Sequence, residues 1–450
     1  MFFGRRFDAR TPREAWIQAD DVEDQQDNSN NWVQSSQLVH SSVQQLIQKR
    51  RQGLTGQWHI AISQKLIPSS VSPSQHAHIS AEIDSRGYNG QYSPDGQVFY
   101  CSTQDDIVVF DTSDPFDWSV LKRYEGLNIQ WTISDIDISP SRKYLLYSTM
   151  SSYVTLLALE PDEENRYNLT NVQQMFSLSS NSLDFAVYSV KFSGAGNEIL
   201  AGTSMQSLEI YDLEYRTSVY HIDNAHKNDI NTVCWANRDE SQVFFTGSDD
   251  STIRVWDRRS IRSSRDCVGV LAGHREGVSH IASRGDGIHV ISNGKDQCCK
   301  LWDIRKVCSQ SEYATYSSSH HYQTGFDYRW EHYPLEGYTK RLAIDCSVKT
   351  FRGHTVLGTL IRCHFSPLFS TGQRFVYSGS ARGGVHIYDT VTGASVRKLC
   401  PEGWNQRLTG ATTRDVSWHP YLPLISSTSF AGGIISYSSS NFEEELQERL

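Results

Sequence analysis

The sequence predicts an all-β chain closed into a seven-bladed β-propeller. Two boxes, Trp256-Asp257-Arg258-Arg259 and Trp302-Asp303-Ile304-Arg305, end stretches with the same grammar, and their tryptophans stand 46 residues apart. An Asp lies six residues before each Trp, at Asp250 and Asp296, and a small hydroxyl residue lies ten before it, at Thr246 and Ser292. A His opens each stretch, at His226 and His274. Self-similarity at this period marks a four-stranded propeller blade. The second observation is a run of short, alternating apolar segments broken by Ser-Pro, Asp-Gly and Gly-Ser turns. The third is length. Over residues 88–438, with one 45-residue connection set aside, seven units average about 44 residues, inside the roughly 40–45 such a repeat needs.

Taken in order, residues 1–85 read as an N-terminal extension. Residues 1–35 are rich in Asp, Gln, Asn and Ser, a composition too polar to bury a core. Leu38, Val39, Val43, Leu46 and Ile47 then recur at helical spacing, so a short amphipathic helix is expected over 36–52, closed by Gly53. That helix packs on the propeller rim or is offered to a partner groove. The propeller is expected over 86–438. Its units run from Tyr88 to Asp111, Ile133 to Glu160 and Tyr188 to Asp212, then the two boxed stretches, then His354 to Asp389 and Arg414 to Ser438. Met205, Arg382 and Ala431 stand where the third, sixth and seventh units would keep the turn Asp. Residues 306–350 are an insertion on one face. Its aromatic Asp327-Tyr328-Arg329-Trp330 is expected to fold back on the propeller, and Ser309 to His321, mostly Ser, Tyr and His, to stay mobile. Residues 439–450 are a tail.

Composition narrows the function. Lys+Arg 42 against Asp+Glu 51 gives a net charge of −9, the wrong sign for direct nucleic-acid binding. No apolar run reaches membrane-spanning length, and Met1-Phe2-Phe3-Gly4-Arg5-Arg6 lacks the apolar core of a signal peptide. The nine cysteines form no CxxC pair, which reads as reduced thiols and places the chain in nucleus or cytoplasm. No metal or other cofactor is expected; His320-His321 lacks a third ligand at useful spacing. There is no nucleophile elbow, phosphate-binding P-loop, HExxH or kinase signature, so no catalysis is expected.

Two constellations remain. His226, Thr246, Asp250 and Trp256, and again His274, Ser292, Asp296 and Trp302, form sets in which imidazole, hydroxyl and carboxylate supply one another's partners. A set that recurs at the blade period beside a Trp is structural, because an active site is not duplicated blade by blade. Asp257 and Asp303 are expected to stabilise the turn leaving the third strand. Arg259 and Arg305 follow two residues later and would present guanidinium forks to a partner's carboxylates and carbonyls.

With these residues on the page, the chain resembles the WD40 substrate receptors of cullin-4 RING ubiquitin ligases. The stretches from Phe244 to Arg259 and from Val290 to Arg305 match that family's sixteen-residue box. More narrowly it is similar to the WD repeat-containing protein 23 group and its plant relatives. The residues that carry this are Trp131-Thr132-Ile133-Ser134-Asp135, Phe326-Asp327-Tyr328-Arg329-Trp330, Leu360-Ile361-Arg362-Cys363-His364-Phe365-Ser366-Pro367 and Arg414-Asp415-Val416-Ser417-Trp418-His419-Pro420. The resemblance covers about residues 86–430, insertion included; Phe430-Ala431 departs from the family's Trp-Asp in the last blade. It implies that Trp256, Asp257, Arg259, Trp302, Asp303 and Arg305 help dock the adaptor, damaged-DNA-binding protein one. It implies a non-catalytic receptor whose opposite face or central channel holds a target protein for ubiquitination and proteasomal degradation. The competing expectation is a scaffold propeller that organises a nuclear or cytosolic complex without a ligase.

Overall fold

Seven antiparallel four-stranded sheets radiate from one axis in the computed structural model, which describes residues 73, 76–159, 173–178, 185–319, 326–334, 340–400 and 411–438. Blade two shows how the sequence makes a sheet. Ile133–Ile138, Tyr144–Thr149 and Tyr153–Ala158 carry apolar or hydroxyl side chains on both faces apart from Asp135 and Asp137, because each face meets a neighbouring blade, and all but the ends are buried. The outer strands face water and read differently. Ser119–Glu125 of blade one buries only Tyr124 and carries Lys122, Arg123 and Glu125, charges that blunt an exposed edge.

The apolar core is seven cores, one between each pair of neighbouring blades. Between blades three and four, Leu200, Ile210, Ile230, Trp235, Phe244 and Trp256 interdigitate; between four and five, Phe245, Val255, Leu271, Val278, Val290 and Trp302 do the same. Burying each large side chain fully is worth about 1.5–3 kcal/mol, so every interface holds a substantial share of the stability. Five of the seven inner strands carry a β-bulge near their start: Ser134, Tyr188, Asn231, Ser279 and Arg414 have no partner in register. A bulge re-aims the side chains beside it. Here it turns polar residues such as Asp135, Ser189 and Asp415 toward neighbouring blades.

Two boundaries differ from those expected. The propeller starts before residue 86: His76–Glu82, assigned above to the extension, is the outer strand of the seventh sheet and pairs antiparallel with Gly433–Ser438, Ile79 opposite Ile435. This clasp closes the ring with a strand from the other end of the chain, so blade seven needs no fourth strand after Ser438. The residues it packs against the neighbouring cores are only Ala77 and Ala81, and Ile79 is exposed, which hid it in a polar context. The insertion does not follow blade five but interrupts it. It leaves after the third strand, Cys298–Asp303, and returns as the outer strand, Lys349–Phe351, so Lys349 and Thr350 belong to the sheet.

Within the insertion, Asp327–Trp330 forms a turn closed by the Trp330 amide on the Asp327 carbonyl at 3.1 Å, and most of the stretch expected to be mobile is helical. Gln310–Ser319 forms a helix, α1, against the outer strand of blade four, Gly269–Ala272. It lacks an apolar face, but it has a capping box: Ser309 Oγ accepts from the Glu312 amide at 3.2 Å, and Glu312 Oε2 accepts from the Ser309 amide at 2.7 Å. Gln310, Tyr313, Tyr316 and Ser317 are its half-buried positions. The helix expected over 36–52, His320-His321 and the tail 439–450 lie outside the described residues.

Candidate functional site

In blade four, His226 Nε2 lies 2.7 Å from Thr246 Oγ1 and Nδ1 lies 3.0 Å from Asp250 Oδ2, while Trp256 Nε1 donates to Thr246 Oγ1 at 2.9 Å. Blade five repeats this with His274, Ser292, Asp296 and Trp302 at 2.7, 3.0 and 2.7 Å. The sets tie the loop entering the inner strand to the second and third strands. All eight side chains are buried or nearly so, and the hydroxyl-bearing Thr246 and Ser292 are both 0 % exposed. Burial alone would raise the Asp250 carboxyl, but His226, the Lys227 amide and Thr252 hold it well below the usual carboxylate range. A third, altered set was missed in the sequence. In blade six, Tyr388 replaces the Trp and its hydroxyl lies 2.9 Å from His354 Nδ1; burial lowers that imidazole to about 3. Gly353-His354 followed by Tyr388-Asp389 was the available signal.

The exit of the third strand displays the arginines. In five blades an Asp ends this strand and its Oδ1 accepts from the amide two residues on: Ser113, Glu214, Arg259, Arg305 and Val391, at 2.7–3.0 Å. This Asx turn fixes where the side chain at that position emerges on the rim. In blades four and five that side chain is Arg. Each folds onto its own Asp as a two-toothed fork: Arg259 Nε and Nη2 donate to Asp257 at 2.9 and 2.6 Å, and Arg305 Nε and Nη2 donate to Asp303 at 2.9 and 2.7 Å. The Arg305 bonds hold the Asp303 carboxyl down to about 2. The arginine side chains stay 69 % and 68 % exposed, and three of each guanidinium's five donors make no bond among the described residues. The aspartates orient the forks while leaving donors for a partner.

The same geometry corrects part of the expected docking set. Trp256 and Trp302 are 0 % exposed, wedged between blades, and cannot touch a partner. They act through the sheet that ends in the Asx turn. Asp257 and Asp303 are mostly covered and act as supports. Of the six, Arg259 and Arg305 are the exposed side chains, on adjacent blades at one end of the propeller.

The other end is built by the loops entering each inner strand and by the insertion. Tyr328 reaches that end: its carbonyl accepts from the Gly358 amide at 2.8 Å, and Lys295 Nζ lies 4.1 Å from its ring centroid. Trp330 and, on the loop into blade two, Trp131 stand there 73 % and 72 % exposed. The central channel is crossed within. Arg362 of blade six donates to Asp135 of blade two at 2.8 Å and lies 3.7 Å from Asp415 of blade seven. Asp135 also receives Lys191 at 2.7 Å, and Asp415 receives Gln91 at 2.9 Å and lies 3.0 Å from His364 Nε2. All three bridging side chains are at most 8 % exposed. The bridge ties blades two, six and seven together across the axis. Among the described residues no three His, Cys, Asp or Glu side chains gather to hold a metal ion, and no helix is long and apolar enough to cross a membrane.

Comparison with known proteins places this geometry. Residues 217–257 and 265–303 match the WD domain, G-beta repeat model. The LEC14B protein of Lithospermum erythrorhizon is 40 % identical over 361 residues, 79 % of this chain and 73 % of that protein. The LEC14B homolog of Prunus armeniaca is 40 % identical over 354 residues, 78 % of this chain and 71 % of that protein. This chain belongs to the LEC14B family of WD40 proteins. The family's likeness extends to a Caenorhabditis elegans protein named DDB1- and CUL4-associated factor 11 homolog, 34 % identical over 363 residues, 78 % of this chain and 60 % of that protein. The aligned length in these LEC14B-family comparisons requires most of the propeller, not the two boxed blades alone.

Proposed function

We propose that this chain is the substrate-recognition subunit of a cullin-4 RING E3 ubiquitin ligase. It docks damaged-DNA-binding protein one through the rim that carries Arg259 and Arg305, and presents a target protein at the other end of the propeller for ubiquitination and proteasomal degradation. The observation that carries this reading is the pair of exposed forks, each set by its own Asp at the same turn of two adjacent blades. The forks are preorganised, so docking them costs little side-chain entropy. The nematode relative named for association with DDB1 and CUL4 supports the partner. The role needs no catalysis from this chain. The bridged channel and the exposed Trp131 and Trp330 favour target contact on the end face. The complex would work in nucleus or cytoplasm.

The test is adaptor co-precipitation by Arg259→Ala, Arg305→Ala and the double variant, beside melting curves. Each fork stands free of the interblade cores, so folding survives. Truncating a fork that is paired across an interface weakens binding on the order of a hundredfold, and the double variant should lose the adaptor while still holding its target. A well-folded double variant that still binds adaptor refutes the docking residues. A wild-type chain that never binds adaptor leaves a scaffold propeller instead.

A further inference from the structure

We infer that the outer edge of blade five holds a binding site for a phosphorylated serine or threonine of a partner protein. The return of the insertion encloses a cavity of about 300 Å³ against the blade. Six cations line it, Arg275, Lys300, Lys340, Arg341, Lys349 and Arg352, against two carboxylates, Asp296 and Asp345, in a chain whose net charge is −9.

Both carboxylates already have partners. Asp296 is committed to His274 and the Arg275 amide, both at 3.0 Å. Asp345 accepts from Lys300 at 2.8 Å and from the Ser347 amide at 2.9 Å, and its side chain is 1 % exposed. It can sit that deep because Gly273, at φ +155°, has no side chain: a Cβ there would stand 2.4 Å from Asp345 Oδ1. The other cations are held in place by directed contacts. Arg275 donates to the carbonyl of Lys340 at 2.8 Å, Lys349 to that of Val391 at 2.6 Å, and Arg341 to those of Asp345 and Ser347 at 2.9 and 2.5 Å, with its Nε 3.6 Å from Asp345 Oδ2. Asp345 thus serves both Lys300 and Arg341, and six cations against two carboxylates leave the lining positive. Lys340 and Arg352 are exposed at its mouth.

A phosphomonoester brings about −1.5 to −2 charges and three acceptor oxygens to such a cluster, where one carboxylate brings a single charge. Leu342 and Val348 give the cavity an apolar wall for a flanking side chain. A single walled cavity on a net-negative chain suits one anionic group on a peptide better than a long polyanion, which would meet repulsion beyond it. The lining runs from Asp296, just before the third strand of blade five, through Lys300 within it to Lys349, whose Nζ donates to the carbonyl of Val391 at the exit turn of blade six, so the cavity lies along the outside of the blade whose own exit turn carries Arg305. That the phosphorylated protein is a degradation target rests on the receptor reading above; the anion site itself does not.

The test measures binding of three degenerate peptide pools with a central phosphoserine, serine or glutamate, to the wild-type chain and to Lys340→Ala plus Arg352→Ala. Both substituted residues are exposed, and a melting curve checks the fold. The expected result is at least tenfold tighter binding of the phosphoserine pool than of either other pool, competition by inorganic phosphate, and loss of at least tenfold in the double variant with adaptor co-precipitation unchanged. Equal binding of the phosphoserine and serine pools overturns the inference. So does phosphoserine binding that survives in a folded double variant, a glutamate pool held as tightly, or a single-stranded oligonucleotide that binds through the same two residues more tightly than the phosphoserine pool. Wild-type binding of phosphoserine without adaptor binding would keep this site and remove the receptor reading.

Discussion

Replacing Asp296 and Asp250 by Ala separates what the buried His–Asp pairs contribute from what the rim contributes. Asp296→Ala leaves two donors without an acceptor, His274 Nδ1, 1 % exposed, and the Arg275 amide. An orphaned buried donor costs about 1–3 kcal/mol and the amide can recover water, so the expected loss is about 2–3 kcal/mol. Asp250 makes the equivalent bonds to His226 and the Lys227 amide, and also accepts from the Thr252 amide at 3.0 Å and its hydroxyl at 2.6 Å. Asp250→Ala should therefore cost more, about 3–5 kcal/mol. The assay is urea unfolding of both variants with adaptor co-precipitation alongside, and a cycle with His274→Ala. If Asp296 acts through His274, the double variant loses little beyond the larger single loss. The pairs also predict a pH window. Both carboxyls are held below their unfolded value of 3.8, so their stability is present above that pH and is lost as pH falls toward the folded value. An equal or reversed order of the two losses, or additive losses in the cycle, would refute the reasoning.

Two further outcomes follow from buried charge elsewhere. Glu209, 1 % exposed with His221 Nδ1 3.4 Å from Oε2, is pushed up from 4.5 to about 7, chiefly by burial and against the pull of Ser218 and His221. A raised carboxyl penalises the fold increasingly between those pH values and constantly above them, so Glu209→Gln should stabilise by on the order of 3 kcal/mol at pH 8 and by nothing at pH 4; a pH-independent melting difference would count against it. Arg362→Met removes the bridge across the channel and should cost about 3 kcal/mol, the low end for a broken buried pair, because Asp135 keeps Lys191 and Asp415 keeps His364; an unchanged urea midpoint would overturn the account.

The repeat was legible because the same physical problem, a blade that must bury both faces, is solved seven times with similar residues. The His–Asp–hydroxyl–Trp sets were legible for the same reason: spacing alone brings His274, Ser292 and Asp296 together when each lies at a fixed point of a four-stranded sheet. What repetition does not encode was harder to read. The clasp strand, His76–Glu82, owes its place to a partner some 350 residues away, and its own alternation of Ala, Ile and Ala is faint. Helix α1 was read as mobile from its serines, when Ser309 and Glu312 already spelled a cap. The docking tryptophans were misassigned because the box joins buried and exposed residues in one short string. The Ser, Tyr and His runs dominate the insertion's composition and mask the basic cavity, although four cations and one Asp stand between residues 340 and 352.

The insertion's point of departure explains how one blade can serve two ends of the molecule. A loop placed between third and outer strands starts at the rim that carries Arg305. To return in register it must deliver Lys349 opposite Leu301 and Phe351 opposite Cys299, which fixes the outer strand. The chain therefore has to travel along the blade's outside, and α1 makes that journey against blade four before Tyr328 crosses the far end. Ten helical residues at about 1.5 Å each cover about 15 Å, close to the length of the strand they run beside. The return segment is then anchored by the Lys300–Asp345 pair, both at most 5 % exposed, and by Asp345 against Gly273. An anchor of that kind removes freedom from 340–348 and sets Lys340 and Arg341 beside Arg275 and Arg352. The basic cavity along the outside of blade five thus depends on the same strand whose exit turn presents Arg305, with rigid sheet rather than a flexible linker fixing one relative to the other.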